Sequence, residues 1–317
     1  MSKNISSIFL LVVGLLLVMS PCISQSKYRP KIAEFSHRTL YGYDTRSSSE
    51  QYGNSNTEVE EDEQLKIRLG VPLVMKKGKL FGLQLKYDMH NFSMDFDQSN
   101  SELFNHIETR TFRNLGARIL YQTSLSEKKS LTYIAGAEIK SDEFNWNGNT
   151  MKFYASASYK VRLNERTEIG AGLLLGYTLG NFQIYPVLTY EHKINNHFTL
   201  DLAFPKSVAL RWRGSDKFYI TAKTEVKGWR YAVHNSNLSD TNPLVLRKAD
   251  LNLGLSFERE LHDWLWLGLD VGVSKNIRYH LGEPGHRSRD AIIDLQANNA
   301  PYIKFGIFLV PPRKLFQ

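Results

Sequence analysis

The sequence predicts an all-β fold: an antiparallel transmembrane up-and-down β-barrel of about fourteen strands, with about twelve as the alternative count. Three observations lead there: long segments alternating apolar and polar residues, short turns alternating with longer loops, and an apolar leader followed by a chain without cysteine. The clearest alternation runs from Trp264 to Tyr279. Leu265, Leu267, Leu269, Val271, Val273 and Ile277 share one parity, while Gly268, Asp270, Gly272, Ser274, Asn276 and Arg278 share the other. Side chains alternate across a strand, so the run has an apolar face, interrupted only by Lys275, and a small-or-polar face. It is about twice the length of an ordinary sandwich strand. In a membrane barrel the apolar parity meets lipid and the polar parity meets the lumen.

The first two dozen residues read as a separate object. Lys3, the apolar run Ile8 to Val18 and Cys22-Ile23-Ser24 make residues 1–24 a secretory signal, cut after Ser24. The run is shorter than the roughly 20 apolar residues a spanning helix needs. Cys22 raises a lipoprotein reading, which Pro21 directly before it fits poorly. It is the single cysteine, so the mature chain offers neither a disulfide nor a thiol-based metal site. Mean hydropathy is −0.35, but a barrel strand spreads its lipid-facing residues among polar ones, so the average conceals them. The formal net charge is +8. In an exported chain it fits attraction to lipopolysaccharide or an anion-favouring lumen, with plain solvation as the alternative, and not nucleic acid.

Along the chain, residues 25–310 form the expected barrel and residues 311–317, with Pro311 and Pro312, a tail that stops sheet pairing. The first segment, Lys31 to Tyr43, is the least regular, and an acidic connection follows through Glu58, Glu60, Glu61, Asp62 and Glu63. That charge run reads as a solvated loop ahead of a divalent-cation bridge to lipopolysaccharide. Leu65 to Leu73 and Phe81 to Met89 are paired by the turn at Lys76 to Lys79. Leu115 to Tyr121 and Leu131 to Ile139 flank the turn at Ser126 to Lys129. Phe153 to Val161 and Ile169 to Tyr177 flank Asn164-Glu165-Arg166. Phe182 to Lys193 is ambiguous in parity, and Pro186 marks it as an edge or a bulge. Phe198 to Phe204 and Val208 to Trp212 are short strands, and the count falls to about twelve if they lie outside the wall. Phe218 to Ala222, Leu251 to Phe257, the long run from Trp264 and Tyr302 to Val310 complete the set. Tyr41, Tyr43, Tyr121, Tyr133, Phe153 and Phe204 fall on outward parities, as interfacial aromatic girdles do.

The nine histidines lack zinc spacing, and the sequence contains no calcium loop, no nucleophile elbow and no phosphate-binding loop. The reading is a non-enzyme with no cofactor, no metal site and no catalytic residue. The inward parity is more informative. It carries Lys66, Arg68, Lys86, Arg118, Lys140, Lys160, Arg162, Arg211, Arg213, Lys223, Lys227, Asp270 and Arg278 as lumen-facing candidates. Cations outnumber anions there. One reading is an interior that passes or binds small polar or anionic solutes. The other is a network of charges paired between strands that fills the barrel.

The leader ending before Gln25, together with Ile184-Tyr185-Pro186, Ala203-Phe204-Pro205 and Lys217-Phe218-Tyr219, resembles an uncharacterised family of outer-membrane barrel proteins from Bacteroidota. The resemblance implies outer-membrane location and a barrel over the whole mature chain, and supplies no ligand or catalytic residue. The accessory barrels of the gliding and type IX secretion machinery rank lower. Their mature chains usually begin with an aromatic-Asn-Pro-rich segment, which Gln25-Ser26-Lys27-Tyr28-Arg29-Pro30 lacks. The expected partners are outer-membrane lipid, lipopolysaccharide and the barrel-assembly machinery. The alternative to a solute barrel is a closed structural or partner-anchoring barrel, and the sequence specifies no oligomeric state.

Overall fold

The computed structural model describes residues 31–49, 53–76, 78–95, 102–143, 148, 150–177, 182–234, 241, 243–286 and 290–313. The expected leader, 1–24, and residues 314–317 of the expected tail lie outside them. The chain forms β1 (Ala33–Ser49), β2 (Gly53–Lys76), β3 (Lys79–Met94), a short helix α1 (Glu102–Glu108), β4 (Phe112–Ser126), β5 (Lys129–Ser141), β6 (Met151–Arg162) and β7 (Thr167–Gly176). It continues with β8 (Gln183–Lys193), β9 (Phe198–Phe204), β10 (Ser207–Ser215), β11 (Phe218–Val233), β12 (Leu244–His262), β13 (Leu265–Gly282), β14 (Ile293–Ala297) and β15 (Ala300–Leu309).

Each strand from β1 to β13 is hydrogen-bonded to the next. β14 and β15 both lie between β13 and β1: Tyr279 faces Leu295 and Leu265 faces Leu309 on one side, Thr45 faces Ala297 and Ala33 faces Leu309 on the other. They are two halves of one wall strand, interrupted at Asn298 and Asn299, so the wall closes with 14 strands. Both β9 and β10 hold wall positions, with Leu188 opposite Phe204 and Ser207 opposite Glu225, which removes the twelve-strand count. Closure satisfies the backbone within the sheet, as a hydrocarbon surrounding requires.

The faces are ordered as a membrane barrel needs. On β13 Leu269 is 40% exposed and the adjacent Asp270 8%. Leu69, Leu115, Leu173, Leu253 and Phe305 are likewise exposed large apolar side chains. Tyr41, Tyr121, Tyr133 and Phe153 stand among them.

Irregularities in neighbouring wall strands then divide the interior. Gly42 in β1 has φ +40, opposite Glu60 of β2. Glu60 is itself extra against β3, between the pairs Val59–Met94 and Glu61–Ser93. Ile277 is the extra residue of β13 against β12. The break between β14 and β15 lies at the same level, where Asn298 N donates to Asp44 O. An extra residue reverses which side chains point inward beyond it. On the side of the short turns the interior receives Ser36, Arg38, Asp62 and Asp270. On the side of the longer loops it receives Tyr43, Val59, Tyr279, Leu281 and Leu295. Tyr43, expected on the lipid face, is therefore buried inside.

That second half is an apolar plug. Leu103, Phe104 and Ile107 of α1 are at most 1% exposed. They join Phe92, Phe112, Tyr231, Leu244, Leu246 and Ile293 in one cluster, each such side chain contributing roughly 1.5–3 kcal/mol by leaving water. The acidic run expected in a loop belongs to β2: Glu58, Glu60 and Glu61 stay exposed, but Asp62 is fully buried.

Candidate functional site in the barrel lumen

At the short-turn end, a cavity of about 500 Å³ opens between the hairpins β2–β3, β4–β5 and β6–β7. Eight cationic side chains line it, Lys76, Lys79, Lys128, Lys129, Lys160, Arg162, Arg166 and Lys193, against four carboxylates, Glu127, Glu165, Glu168 and Glu191. Short turns force these charges together. A two- to four-residue hairpin loop is polar because its backbone meets water, and three such loops side by side form a ring. Of the lumen-facing candidates, Lys160 and Arg162 lie here, Lys160 paired with Glu168 at 2.9 Å.

Deeper in, charges pair along the lumen face, between neighbouring strands, across an intervening strand and within one strand. Arg211 meets Asp201 at 2.7 Å, Lys223 meets Asp270 at 2.7 Å and Lys227 meets Glu225 at 3.4 Å. Ser256 also hydrogen-bonds Asp270. Lys31 reaches Glu258 at 2.7 Å and Arg38 donates to Asn252, both connecting the β1 side of the wall to β12. Arg68 pairs with Asp88 at 2.6 Å, while Lys86 and Lys140 share Glu138. Lys66 stands opposite Asp88 across β2 and β3, and Arg118 opposite Gly136 across β4 and β5. Thus Lys66, Arg68, Lys86, Arg118 and Lys140 are gathered on β2 to β5. Arg213 is not among them: it binds Asn196 O and Asp216 at a hairpin turn. Arg278 also departs from the lumen set. The extra residue Ile277 turns Tyr279 into the buried cluster and leaves Arg278 exposed.

Beneath the plug sits a node that strand parity alone did not reveal. Asp62 lies 2.6 Å from His90 Nε2, accepts from Tyr43 at 3.2 Å and from Gln64 at 3.2 Å, and is 3.6 Å from Lys248 Nζ. Lys248 is 3% exposed and lies 3.7 Å from Asp250. Its ammonium lies 5.1 Å from the Tyr43 ring, 5.8 Å from Trp229 and 5.4 Å from Tyr279, an aromatic box around a buried cation. In the sequence Glu58, Glu60 and Asp62 all share the parity of Lys66 and Arg68, so Asp62 is singled out only by the irregularity at Glu60.

A Ser, His and Asp also meet at the loop end. Ser141 Oγ and Asp142 Oδ1 both contact His234 Nδ1, at 3.0 and 2.9 Å, and His234 Nε2 is buried with no hydrogen-bond partner among the described residues. A nucleophilic relay uses opposite ring nitrogens for the two neighbours, so this arrangement joins strands instead of relaying a proton. Among the described residues no group of three or more His, Cys, Asp or Glu is placed to hold a metal ion.

The closed wall, its apolar outer face and its charged lumen define a transmembrane β-barrel of the outer-membrane type. The chain belongs to the family described as a domain of unknown function, DUF6268, whose model matches residues 32–307. No curated protein matches it. Among solved structures it is similar to a Pseudomonas aeruginosa FadL homologue, with 8% identity, 90% of each chain covered and a TM-score of 0.45. It is similar to the P. putida toluene transporter TodX, with 9% identity, 90% and 91% covered and a TM-score of 0.40. The KdgM porin in complex with disordered oligogalacturonate covers 98% of its own length and 87% of this chain at 6% identity and a TM-score of 0.34. These likenesses concern architecture and say nothing of cargo.

Proposed function

We propose that the protein is an outer-membrane barrel that admits small anionic solutes to its lumen from the periplasmic side and holds a closed end towards the exterior. In this class short turns face the periplasm and longer loops the outside, which puts the basic basin in the periplasm and the plug at the cell surface. The observation that carries the reading is the basin, with its eight cations against four carboxylates. The ion-paired lumen supports a second reading, a closed barrel that anchors a partner and transports nothing.

Planar-bilayer recordings separate the two. The unmodified protein is expected to be quiet. A variant with Leu103, Phe104 and Ile107 all changed to Ser is expected to pass an anion-preferring current, and adding Lys128→Glu and Arg166→Glu is expected to abolish that preference. A steady current from unmodified protein removes the closed end. A plug variant that stays silent, or conducts without preference for anions, removes the solute reading in favour of the anchor.

A further inference from the structure

The inner wall of the basin differs in character from its rim. β3, β4, β5 and β6 run side by side there, and their register puts Leu80, Gln122, Thr132 and Ser158 opposite one another in one row. The next row towards the turns holds Ser124, Ser130 and Lys160. Neighbouring strands lie about 4.8 Å apart, so the two rows make a grid of hydroxyl and amide groups at that spacing. Gln122, Ser124, Ser130, Thr132 and Ser158 all line the cavity, and their side chains form no hydrogen bond among the described residues. Donors that find no partner in the wall are left to water or to a bound molecule.

The rim carries charge that is not neutralised in place. Lys76 and Lys79 come from the first of the three hairpins, Lys128 and Lys129 from the second and Arg166 from the third. All five are exposed, and none makes an ion pair among the described residues. Successive hairpins are two strands apart, about 10 Å, so a small monovalent anion reaches one tip. A molecule with two or more negative groups reaches several. Six of the eight cations are lysines. A guanidinium fork matches a planar carboxylate, whereas an ammonium is a point charge that serves the tetrahedral phosphate group as well. No aromatic side chain is among the lining residues, so a nucleobase finds no platform on which to stack.

We infer that the basin is a seat for compact solutes carrying two or more phosphate groups, held by the lysines of the rim and by the hydroxyl grid of Ser130, Thr132 and Ser158. The seat rests on the anion reading above and narrows it to one chemical class. Phosphate oxygens accept from ammonium, hydroxyl and amide donors alike, so such a solute uses both rim and grid. A monovalent anion is served by one tip of the rim. Inorganic polyphosphate and phosphorylated polyols share this chemistry.

The test is equilibrium titration of the full-length protein in an uncharged detergent with tripolyphosphate, fructose 1,6-bisphosphate, orthophosphate and, as a carboxylate of comparable charge, citrate. Saturable binding of tripolyphosphate or of the bisphosphate is expected, at least tenfold tighter than that of orthophosphate or citrate. The tighter of the two identifies a free polyphosphate or a phosphate ester as the source. Ser130→Ala with Thr132→Val and Ser158→Ala removes three hydroxyls and no charge, and is expected to weaken that binding at least tenfold with citrate unchanged. Lys128→Gln with Arg166→Gln leaves the inner wall intact, so it tests the rim at exposed turn positions where folding is not at stake; weaker binding of every anion is expected. Citrate bound as tightly as tripolyphosphate, or unchanged binding in either variant, overturns the seat. Binding in detergent requires neither a plug nor a current. An anion-preferring current through the plug variant with no phosphate binding overturns the seat and leaves the anion reading, while binding without current keeps the seat and removes passage.

Discussion

Ala232 of β11 stands beside Ser141 of β5 in a parallel bridge, although five wall strands, β6 to β10, separate the two along the barrel. Ser141 Oγ and Asp142 N both donate to Ala232 O, each at 3.2 Å. The barrel is thus pinched at its loop end into a smaller ring running from β11 round to β5. That ring encloses the plug, and α1 is held to it by His106, 3.3 Å from Asp142.

Asp142 is the centre of this latch, since it accepts from His234 N at 3.0 and 3.1 Å and contacts both His106 and His234 side chains. Asp142→Asn removes the charge from these bonds, each worth about 1.5–3 kcal/mol when charge-assisted. The expected outcome is faster hydrogen exchange at Ala232 and His234 with the wall strands unaffected. Unchanged exchange at both amides contradicts the latch.

The latch also sets an acid limit. Burial pushes the Asp142 carboxyl up, but the hydrogen bonds from His106 and His234 outweigh it and hold the group below its usual value of 3.8. A depressed carboxyl contributes stability that is complete above the unfolded value and is lost as pH falls through the folded one. Closure through Asp142 is therefore expected to hold from neutral pH to about pH 4 and to loosen only in stronger acid, with Arg110 and Glu143, 2.9 Å apart, as the nearby charged pair. Protease accessibility of the loop end across that range is the check.

Lys248 lies between Asp62 and Asp250 in the node beneath the plug. Lys248→Met leaves buried carboxylates without it, and losing one member of such a set costs about 3–5 kcal/mol. Lys248→Arg retains the charge and is expected to lose less. Urea unfolding in lipid vesicles measures the difference, and equal stability of the two variants argues against the node.

Leu253 is 63% exposed on the outer face of β12. An arginine at a mid-membrane position costs roughly 2–4 kcal/mol, and Leu253→Arg is expected to fall in that range in the same unfolding assay. A neutral result, or native protein recovered from water without detergent, contradicts the assignment of faces.

Gly42 holds a left-handed backbone in β1, which a side chain disfavours by about 1–2 kcal/mol. Gly42→Val is expected to destabilise by that amount and to expose Tyr43, read out as a change in the near-ultraviolet signal of the tyrosines. An unchanged spectrum and midpoint count against the bend as the device that turns Tyr43 inward.

The wall was legible in the sequence because period two survives wherever one side meets lipid and the other does not. Leu265 to Val273 gave the faces of β13, and Asn164 to Arg166 gave a hairpin turn, without tertiary information. The interior at the loop end was not legible, for a physical reason. A single irregular residue such as Gly42 or Ile277 reverses parity and leaves little mark in composition, so strict alternation puts Tyr43 and Arg278 on the wrong sides. Beyond the bilayer, strands are covered on both faces, and Leu244-Val245-Leu246 no longer alternates. The helix Glu102–Glu108 is too short to show a helical period. The pairing of Arg211 with Asp201 on the next strand, and of Lys223 with Asp270 across β12, follows from strand order and register, which parity does not specify.

The hairpin of β9 and β10 is the lowest stretch of the wall. A cylinder of hydrogen-bonded ribbons is only as strong as its poorest seam, and here one ribbon has seven residues where others have more than fifteen. Heat or mechanical load will part the sheet there before anywhere else. The molecule unzips from a known place, and a probe on Phe204 will report the first opening.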